Sequence, residues 1–265
     1  MNEVDFVSLP EADLERRFGG VARLYGEDGT ARIRAAHIAV AGIGGVGSWA
    51  AEALARCALG CITLIDMDHV AESNTNRQIQ ALGDAYGQSK IEAMAARIAA
   101  INPAAQVVPV DDFVTVDNAA QLISGCDVVI DCTDQVSAKA ALVAAARRAR
   151  ITVVTCGAAG GRGDPLRIKR GDLALIIGDP LLSKVRQRLR RDHGFPKIEG
   201  RRPRKFQVIA IYSDEPVRAP ACMDADPSGG LSCSGYGSSV VVTATMGFIA
   251  AATALDALLH APKPA

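Results

Sequence analysis

The first part of the chain alternates short apolar runs with longer segments in which apolar residues recur every three or four positions. The short runs predict buried strands, and the longer segments predict amphipathic helices. The predicted strands cover residues 37–41, 61–65, 106–110, 127–131 and 151–155. The predicted helices cover residues 11–25, 48–59, 89–101, 116–123 and 136–149. This alternation predicts an α/β fold with a doubly wound, mainly parallel sheet and helices on both faces.

The pattern changes after about residue 157. Shorter predicted strands cover residues 166–170, 173–176 and 206–212, and a strongly basic helix covers residues 180–193. Residues 213–237 are rich in Pro, Gly, Asp and Ser, which predicts a loop. Because no linker separates the two parts, we expect a single domain over residues 1–265. Its core would be residues 14–157, and residues 158–265 would form a C-terminal elaboration.

Composition narrows the class of protein. Hydrophobic residues make up 49% of the 265 positions and charged residues 22%, which excludes a wholly disordered chain. Aromatic residues are only 4%, while Ala, Gly and Val are abundant, which favours helices packed on a sheet over an all-β sandwich. The acidic, polar N-terminus has no signal-peptide pattern, and we expect a cytoplasmic protein with reduced thiols. Peripheral association with a membrane stays open.

A glycine cluster lies between a predicted strand and the helix that follows it. Gly42, Gly44 and Gly47 fit the pattern G-x-G-x-x-G, with Gly45 in the same turn. Such a turn lets backbone N–H groups and a helix N-terminus approach a phosphate. Asp66 ends the next strand, where a carboxylate can accept hydrogen bonds from a ribose. The cluster predicts a Rossmann-like nucleotide site, with a purely structural turn as the alternative.

The polar residues that follow these strands favour ATP over NAD. Arg77 and Lys90 are suited to phosphate oxygens, and the carboxylate of Asp134 is suited to Mg²⁺. A site for hydride transfer needs no such set, although an NAD-dependent oxidoreductase stays as an alternative. Taken singly, each cation also fits a solvated surface, and Asp134 also fits a helix N-cap.

These motifs resemble the adenylating superfamily of ThiF, MoeB and ubiquitin-activating enzymes. The resemblance spans roughly residues 14–157 and is carried by residues 42–47, 66–68, 73–78, 90 and 132–134. It implies attack of a substrate carboxylate on the α-phosphate of ATP, which gives an acyl-adenylate and pyrophosphate. It also implies catalytic roles for Arg77 and Lys90 and a catalytic, Mg²⁺-binding role for Asp134. The nucleotide-binding set that it implies is Gly42, Gly44, Gly45, Gly47, Asp66, Asp68, Asn74, Arg77, Lys90 and Asp134.

The remaining motifs resemble one family in that superfamily, the tRNA threonylcarbamoyladenosine dehydratases. Residues 17–26, 179–182 and 204–216 and the basic helix carry this resemblance. It implies that ATP activates the threonyl carboxylate on a modified adenosine beside the anticodon, and that loss of water closes a cyclic hydantoin. It also implies a homodimer, and it leaves open a pair of sulfur-trafficking partner proteins. ThiF- or MoeB-like adenylation of a carrier protein is the alternative. Those activators usually carry an arginine where this chain has Gly20, which argues against an arginine finger there.

The charge distribution independently fits an RNA substrate. Lys plus Arg and Asp plus Glu both number 29, yet residues 184–205 hold ten basic residues and two acidic ones. Such a segment attracts phosphates without a high overall pI, and a solvated helix face is the alternative. The candidate tRNA-binding residues are Lys184, Arg186, Arg190, Arg191, Arg204 and Lys205.

The seven cysteines include no C-x-x-C pair, so we expect no structural zinc. Cys233 lies in a Gly-rich stretch that resembles the Cys-containing loop of the family. It is a candidate catalytic nucleophile or substrate contact, with a packing role as the alternative, and Cys222 is a weaker candidate. The other five lie in or near apolar runs and are expected to be small core residues: Cys57, Cys61, Cys126, Cys132 and Cys156.

Residues 238–259 form an apolar segment with one charge, Asp256, and are long enough to span a membrane. The segment is rich in Thr, Ala, Gly and Ser, however, and has no Lys or Arg before it. We therefore expect a helix buried in the core or at a homodimer interface, and no stable membrane span.

Overall fold

The computed structural model of the chain describes residues 12–197, 204–218 and 236–260. The strands in these residues are β1 (His37–Ala41), β2 (Cys61–Ile65), β3 (Gln106–Val110), β4 (Val128–Asp131), β5 (Thr152–Cys156), β6 (Ile168–Asp172) and β7 (Ile209–Ser213). The α-helices are α1 (Leu14–Ala35), α2 (Gly47–Arg56), α3 (Lys90–Ile101), α4 (Ala119–Leu122), α5 (Val136–Ala149), α6 (Pro180–Asp192) and α7 (Val240–His260).

The strands form one sheet in the order β3-β2-β1-β4-β5-β7-β6. Neighbouring strands are parallel except β6 and β7, which are antiparallel. The chain runs outward from β1 in one direction and then returns to β4 on the other side. An α/β sheet holds its ligand at such a switch point, beyond the carboxyl ends of the strands. The predicted doubly wound, mainly parallel sheet is confirmed.

Alternate residues of β1 point into two apolar layers, because successive side chains of a strand face opposite sides of the sheet. Ile38 and Val40 pack with apolar residues of α1, α2, α3 and α7. Ala39 and Ala41 pack with those of α4, α5 and α6. Helices therefore cover both faces, as the sequence predicts.

One predicted strand is wrong. Residues 173–176 form a turn, although Leu173 and Ile176 are buried as an apolar run suggests. The side chain of Asp172 accepts a hydrogen bond from the N–H of Ala174 at 2.9 Å, and its backbone oxygen accepts one from Leu175 at 2.9 Å. The N–H of Leu173 still donates to the backbone oxygen of Val208 at 2.9 Å, but the bonds to Asp172 turn the chain after this residue, so the run does not continue as a strand.

The first helix extends further along the chain than the sequence predicts. It continues to Ala35 through a kink at Gly26, whose φ of +74° is outside helical values.

The last helix, α7, is long and apolar enough to cross a membrane, but more than half of its most apolar window is buried inside the protein. It lies directly on α2, where a Cβ on Gly247 would approach the backbone oxygen of Val46 to 2.5 Å. This burial fits the expected core helix.

Candidate active site

The glycine turn joins β1 to α2 at the carboxyl edge of the sheet. Gly42 has a φ of +84°, and its N–H donates to the oxygen of Ile65 at 2.8 Å. A Cβ on Gly47 would lie 1.9 Å from the oxygen of Gly42, so only glycine lets the helix begin this close to the strand. Gly44, in contrast, has only one atom of the protein as near as 4.0 Å from such a Cβ. The turn therefore packs closely at Gly42 and Gly47 and is open at Gly44.

Asp66 holds this turn to the end of β2. Its carboxylate accepts hydrogen bonds from the N–H of Ile43 at 2.6 Å and of Asp68 at 2.9 Å. Burial raises the pKa of the Asp66 carboxyl, while Lys90 and the two N–H donors act in the opposite direction. The carboxylate of Asp66, which the sequence predicts to contact the ribose, therefore also shapes the glycine turn.

The ammonium of Lys90 lies 2.6 Å from a carboxylate oxygen of Asp68. The Lys90 side chain is only 8% exposed, whereas the Asp68 side chain is 62% exposed. The stem of the lysine is thus buried, and its charge is held at the surface of the site by a carboxylate that water still reaches.

Arg77 and Asn74 belong to a short polar turn after β2. The guanidinium of Arg77 donates to the backbone oxygen of Ser73 at 2.7 Å and to the side chain of Asn76 at 2.9 Å. Asn74 is buried, and its side-chain oxygen accepts from the N–H of Ala71 at 3.0 Å. Asn74 therefore closes the turn that presents Arg77.

A cavity of about 450 Å³ opens beside this turn and the carboxyl ends of β2 and β4. The predicted nucleotide-binding residues that line this cavity are up to 92 positions apart in the sequence. They are Gly42, Gly44, Gly45, Asp66, Asp68, Asn74, Arg77, Lys90 and Asp134. Gly47 is not in the lining, since it packs the helix on the strand. A second hollow, of about 680 Å³, is lined by residues of α1 alone.

Asp134 lies on the wall of this cavity and is exposed. It is not the N-cap of α5, because Gln135 occupies that position, so the alternative role considered for it does not apply. The described residues contain no group of three or more His, Cys, Asp or Glu side chains that could hold a metal. Mg²⁺ at nucleotide sites needs only one or two carboxylates, because phosphates and water complete its shell. A single carboxylate on the cavity wall fits that need.

The sequence model of the ThiF family matches residues 19–265. The chain belongs to the ThiF family. It is 50% identical over 254 residues to the tRNA threonylcarbamoyladenosine dehydratase of Escherichia coli, covering 92% of this chain and 94% of that protein. It is 44% identical over 248 residues to the dehydratase of Haemophilus influenzae, with coverage of 92% and 94%.

The E. coli dehydratase has also been solved in complex with ATP. That structure matches this chain with a TM-score of 0.84 and 48% identity, covering 95% of this chain and 97% of the other. The resemblance to ThiF-type dehydratases that the sequence suggests is therefore confirmed, and it extends over almost the whole chain.

The basic residues of this ThiF-family chain form a surface on and beside α6. Four of the six candidates are exposed: Lys184, Arg191, Arg204 and Lys205. Arg190 lies over the ring of Phe206, 5.2 Å from its centroid, which brings residues 204 and 205 next to the helix. We call the exposed cations of α6 and residues 204–205 the basic surface.

Arg186 is less available for phosphates than the sequence suggests. It is half-buried and reaches the backbone oxygen of Leu173 at 3.5 Å. Burial, together with nearby Arg190, lowers the pKa of its guanidinium. Arg186 and Arg190 thus also pack the helix, and the guanidinium of Arg191 donates to both carboxylate oxygens of Asp192 at 2.7 and 2.9 Å.

The two cysteines proposed for catalysis, Cys222 and Cys233, lie outside the described residues. The five cysteines within them are free thiols. Burial raises the pKa of Cys126 to about 11, and it also raises those of Cys57 and Cys61. A hydrogen bond to Cys156 and burial raise the pKa of Cys132, which lines the cavity. Thiols of raised pKa are poor nucleophiles at neutral pH.

Two residues that shape the site were not found from the sequence. The indole N–H of Trp49 donates to the backbone oxygen of Arg77 at 2.9 Å, and Thr243 from α7 lines the cavity beside them. Trp49 is the one tryptophan of the chain and directly follows the glycine turn, which is the signal that could have found it. Nothing in the sequence places Thr243 there.

Proposed function

We propose that this protein catalyses the ATP-dependent dehydration of threonylcarbamoyladenosine in tRNA to its cyclic hydantoin. The observation that carries the proposal is the cavity, which joins the glycine turn to the cations Arg77 and Lys90 and to the carboxylate of Asp134. The cavity lies at the end of the sheet where α/β folds bind nucleotides. In a chain that is half identical to a dehydratase, this set supports activation of a carboxylate by ATP.

The reaction has two steps. A carboxylate oxygen of the threonyl group attacks the α-phosphorus of ATP, and pyrophosphate leaves. The carbamoyl nitrogen then attacks the activated carbonyl carbon, loses its proton and expels AMP, which carries away the carboxylate oxygen. Arg77 and Lys90 stabilise the charge that develops on the phosphate oxygens. Ring closure is intramolecular, so proximity supplies much of its acceleration.

The two parts of the chain divide this work. Residues 14–157 bind the nucleotide, and residues 158–265 dock the tRNA and form the homodimer. The dimer face would be the outer side of α7, where Val241 and Phe248 are exposed and Phe248 meets Trp49 edge to face at 5.8 Å between ring centroids. A cytoplasmic location goes with this function, and a pair of sulfur-trafficking proteins remains a candidate partner.

Asp134 would bind Mg²⁺ together with the phosphates of ATP. Asp134→Asn keeps the size of the side chain but removes the charge that the hard cation prefers. We expect a higher Mg²⁺ concentration at half-maximal activity, which a titration of hydantoin formation at saturating ATP measures. The same curve in wild type and variant would remove Asp134 from the metal site. Asp112→Asn, on the same cavity wall, is the matched control.

The basic surface should bind tRNA through phosphate contacts. Changing the exposed Lys184, Arg191 and Lys205 to Gln together should weaken tRNA binding and flatten its salt dependence. Each lost contact removes roughly 0.7–0.9 from the slope of log affinity against log salt. ATP binding should not change, because other elements build that site. Wild-type affinity and slope would rule out this surface. The matched control neutralises exposed arginines elsewhere on the chain: Arg16, Arg23 and Arg56.

In a covalent variant of the second step, the Cys233 thiolate would attack the acyl-adenylate and release AMP, and the carbamoyl nitrogen would then displace the thiolate from the resulting thioester. Cys233→Ser should then still exchange pyrophosphate into ATP but form hydantoin very slowly, whereas Cys222→Ser should retain activity. Hydantoin formation at near wild-type rates in both variants would show that the nitrogen attacks the adenylate directly. The pKa values of Cys57, Cys61, Cys126 and Cys132 are raised, which favours Cys233 and Cys222 over these four as nucleophiles.

Mass spectrometry of tRNA nucleosides tests the function as a whole. Incubation of modified tRNA with the protein, ATP and Mg²⁺ should convert threonylcarbamoyladenosine to a nucleoside lighter by one water, with one AMP formed per product. The alternative, adenylation of a carrier protein's C-terminus, predicts pyrophosphate exchange that depends on the carrier and leaves the tRNA unchanged.

A further inference from the structure

A short segment after β5 joins the nucleotide cavity to the helix that carries the basic surface. We call residues 157–162 the connecting segment. Three of its residues, Gly157, Ala158 and Ala159, line the cavity. Leu181, in the first turn of α6, lines the same cavity. The wall of the cavity is thus built partly from the start of the tRNA-docking helix.

Asp179 binds both of these elements with one carboxylate. One oxygen accepts a hydrogen bond from the N–H of Leu182 at 2.9 Å and so caps α6. The other accepts one from the N–H of Ala158 at 3.0 Å. A Cβ on Gly157 would lie 2.2 Å from this second oxygen, so the close approach requires glycine. The carboxylate fixes the distance between the cavity wall and the helix.

Arg162 completes the connection from the other end of the segment. Its guanidinium lies 3.1 Å from the Asp179 carboxylate and donates to the backbone oxygen of Gly178 at 3.2 Å. Both side chains of the pair are 0% exposed. A buried ion pair contributes little more to stability than well-packed apolar residues would, so stability does not explain why it is here. Its contacts bridge two elements, the cavity wall at Ala158 and the start of α6.

We propose that Asp179 and Arg162 are positioning residues that couple tRNA docking on α6 to the nucleotide cavity, so that bound tRNA raises the affinity for ATP. The inference rests on the proposed function. The basic surface includes Lys184 and Arg191 on this helix of 13 residues, about 20 Å long at 1.5 Å per residue. RNA that holds the helix also holds Leu181 and, through Asp179, Ala158. Coupling of this kind is reciprocal, so ATP also raises the affinity for tRNA.

The test measures ATP affinity with and without tRNA. The ligands are an ATP analogue with a methylene group between the α- and β-phosphorus, which cannot be cleaved there, and tRNA that carries threonylcarbamoyladenosine. In the wild-type protein we expect saturating tRNA to lower the Kd of the analogue about 5-fold or more. In the double variant Asp179→Asn/Arg162→Met the two separate affinities stay close to wild type, while the ratio falls to about one. If the pair had only a structural role, its loss would not abolish the effect of tRNA on the Kd of the analogue while leaving the two separate affinities unchanged.

A matched control removes a different Arg–Asp pair. Arg167 and Asp214 lie 2.9 Å apart at the far edge of the sheet and are partly exposed. Arg167→Met/Asp214→Asn should keep the wild-type ratio. If Asp179→Asn/Arg162→Met also keeps it, the inference is wrong. If the wild-type protein binds tRNA and forms hydantoin, but the Kd of the analogue is the same with and without tRNA, the coupling is wrong and the proposed function stands. Failure to bind tRNA or form hydantoin overturns the proposed function as well.

Hydrogen exchange in the wild-type protein gives a second test that needs no variant. The amides of Ala158 and Leu182 donate to the same carboxylate, so a ligand that fixes one element should slow exchange in both. We expect tRNA to slow exchange at Ala158 and the ATP analogue to slow it at Leu182. Unchanged exchange at both amides would contradict the coupling, even if the double variant fails to fold.

Discussion

Arg77→Ala and Lys90→Ala, made one at a time, are each expected to lower the rate of ATP-dependent hydantoin formation roughly 100- to 1000-fold. Each removes a charge that stabilises the transferring phosphate, an effect of about 2.7–4 kcal/mol by analogy with oxyanion donors. Both variants should stay folded. The Asp68 carboxylate that Lys90 leaves behind is 62% exposed and can be solvated. The partners of the Arg77 guanidinium, the backbone oxygen of Ser73 and the side chain of Asn76, belong to exposed residues.

Initial rates with tRNA that carries threonylcarbamoyladenosine measure this effect, and thermal unfolding confirms the folded state. Arg56→Ala is the matched control, because Arg56 is an exposed cation away from the cavity and its partner Glu52 keeps a second ion pair with Arg97. It should leave the rate unchanged. A wild-type kcat/KM in Arg77→Ala or Lys90→Ala would remove that residue from the phosphate site.

The bounds of the first three strands could be predicted because their signal is local. β1, β2 and β3 have their predicted bounds, since each is a short, mainly apolar run that is followed by glycine or an aspartate. The site followed from the topology, because parallel strands bring their carboxyl ends to one edge. Asp66 and Asp134 stand 68 positions apart in the sequence, yet both line one cavity.

The contacts that set the geometry of the site could not be predicted, because they join residues distant in the sequence. Asp172 holds the apolar run 173–176 in a turn, and its side chain also accepts a hydrogen bond from the N–H of Phe206, 34 residues later. Thr243 reaches the cavity only because α7 packs on α2. Asp179 was visible as an Asp-Pro pair at a helix start, but that pattern predicts a cap and says nothing of Ala158. Local patterns give the elements, and tertiary contacts give their exact placement.

The glycine turn offers the other large effect, and it separates two roles that the motif combines. Gly44→Ala should leave the protein as stable as wild type, because its Cβ would have only one protein atom as near as 4.0 Å. The added methyl group would instead occupy the place where backbone N–H groups approach the phosphates. We expect ATP affinity to fall at least about 10-fold, roughly 1.4 kcal/mol, with little change in Tm.

Gly47→Ala should show the opposite pattern. Its Cβ would lie 1.9 Å from the backbone oxygen of Gly42, which cannot give way without moving α2 off the sheet. Overpacking of this kind costs about 1–3 kcal/mol or more, so Tm should fall by several degrees. Calorimetry and equilibrium ATP binding on both variants measure the two roles. Wild-type ATP affinity in Gly44→Ala would mean that phosphates do not approach this turn. An unchanged Tm in Gly47→Ala would mean that the close contact between helix and strand is not what the third glycine provides.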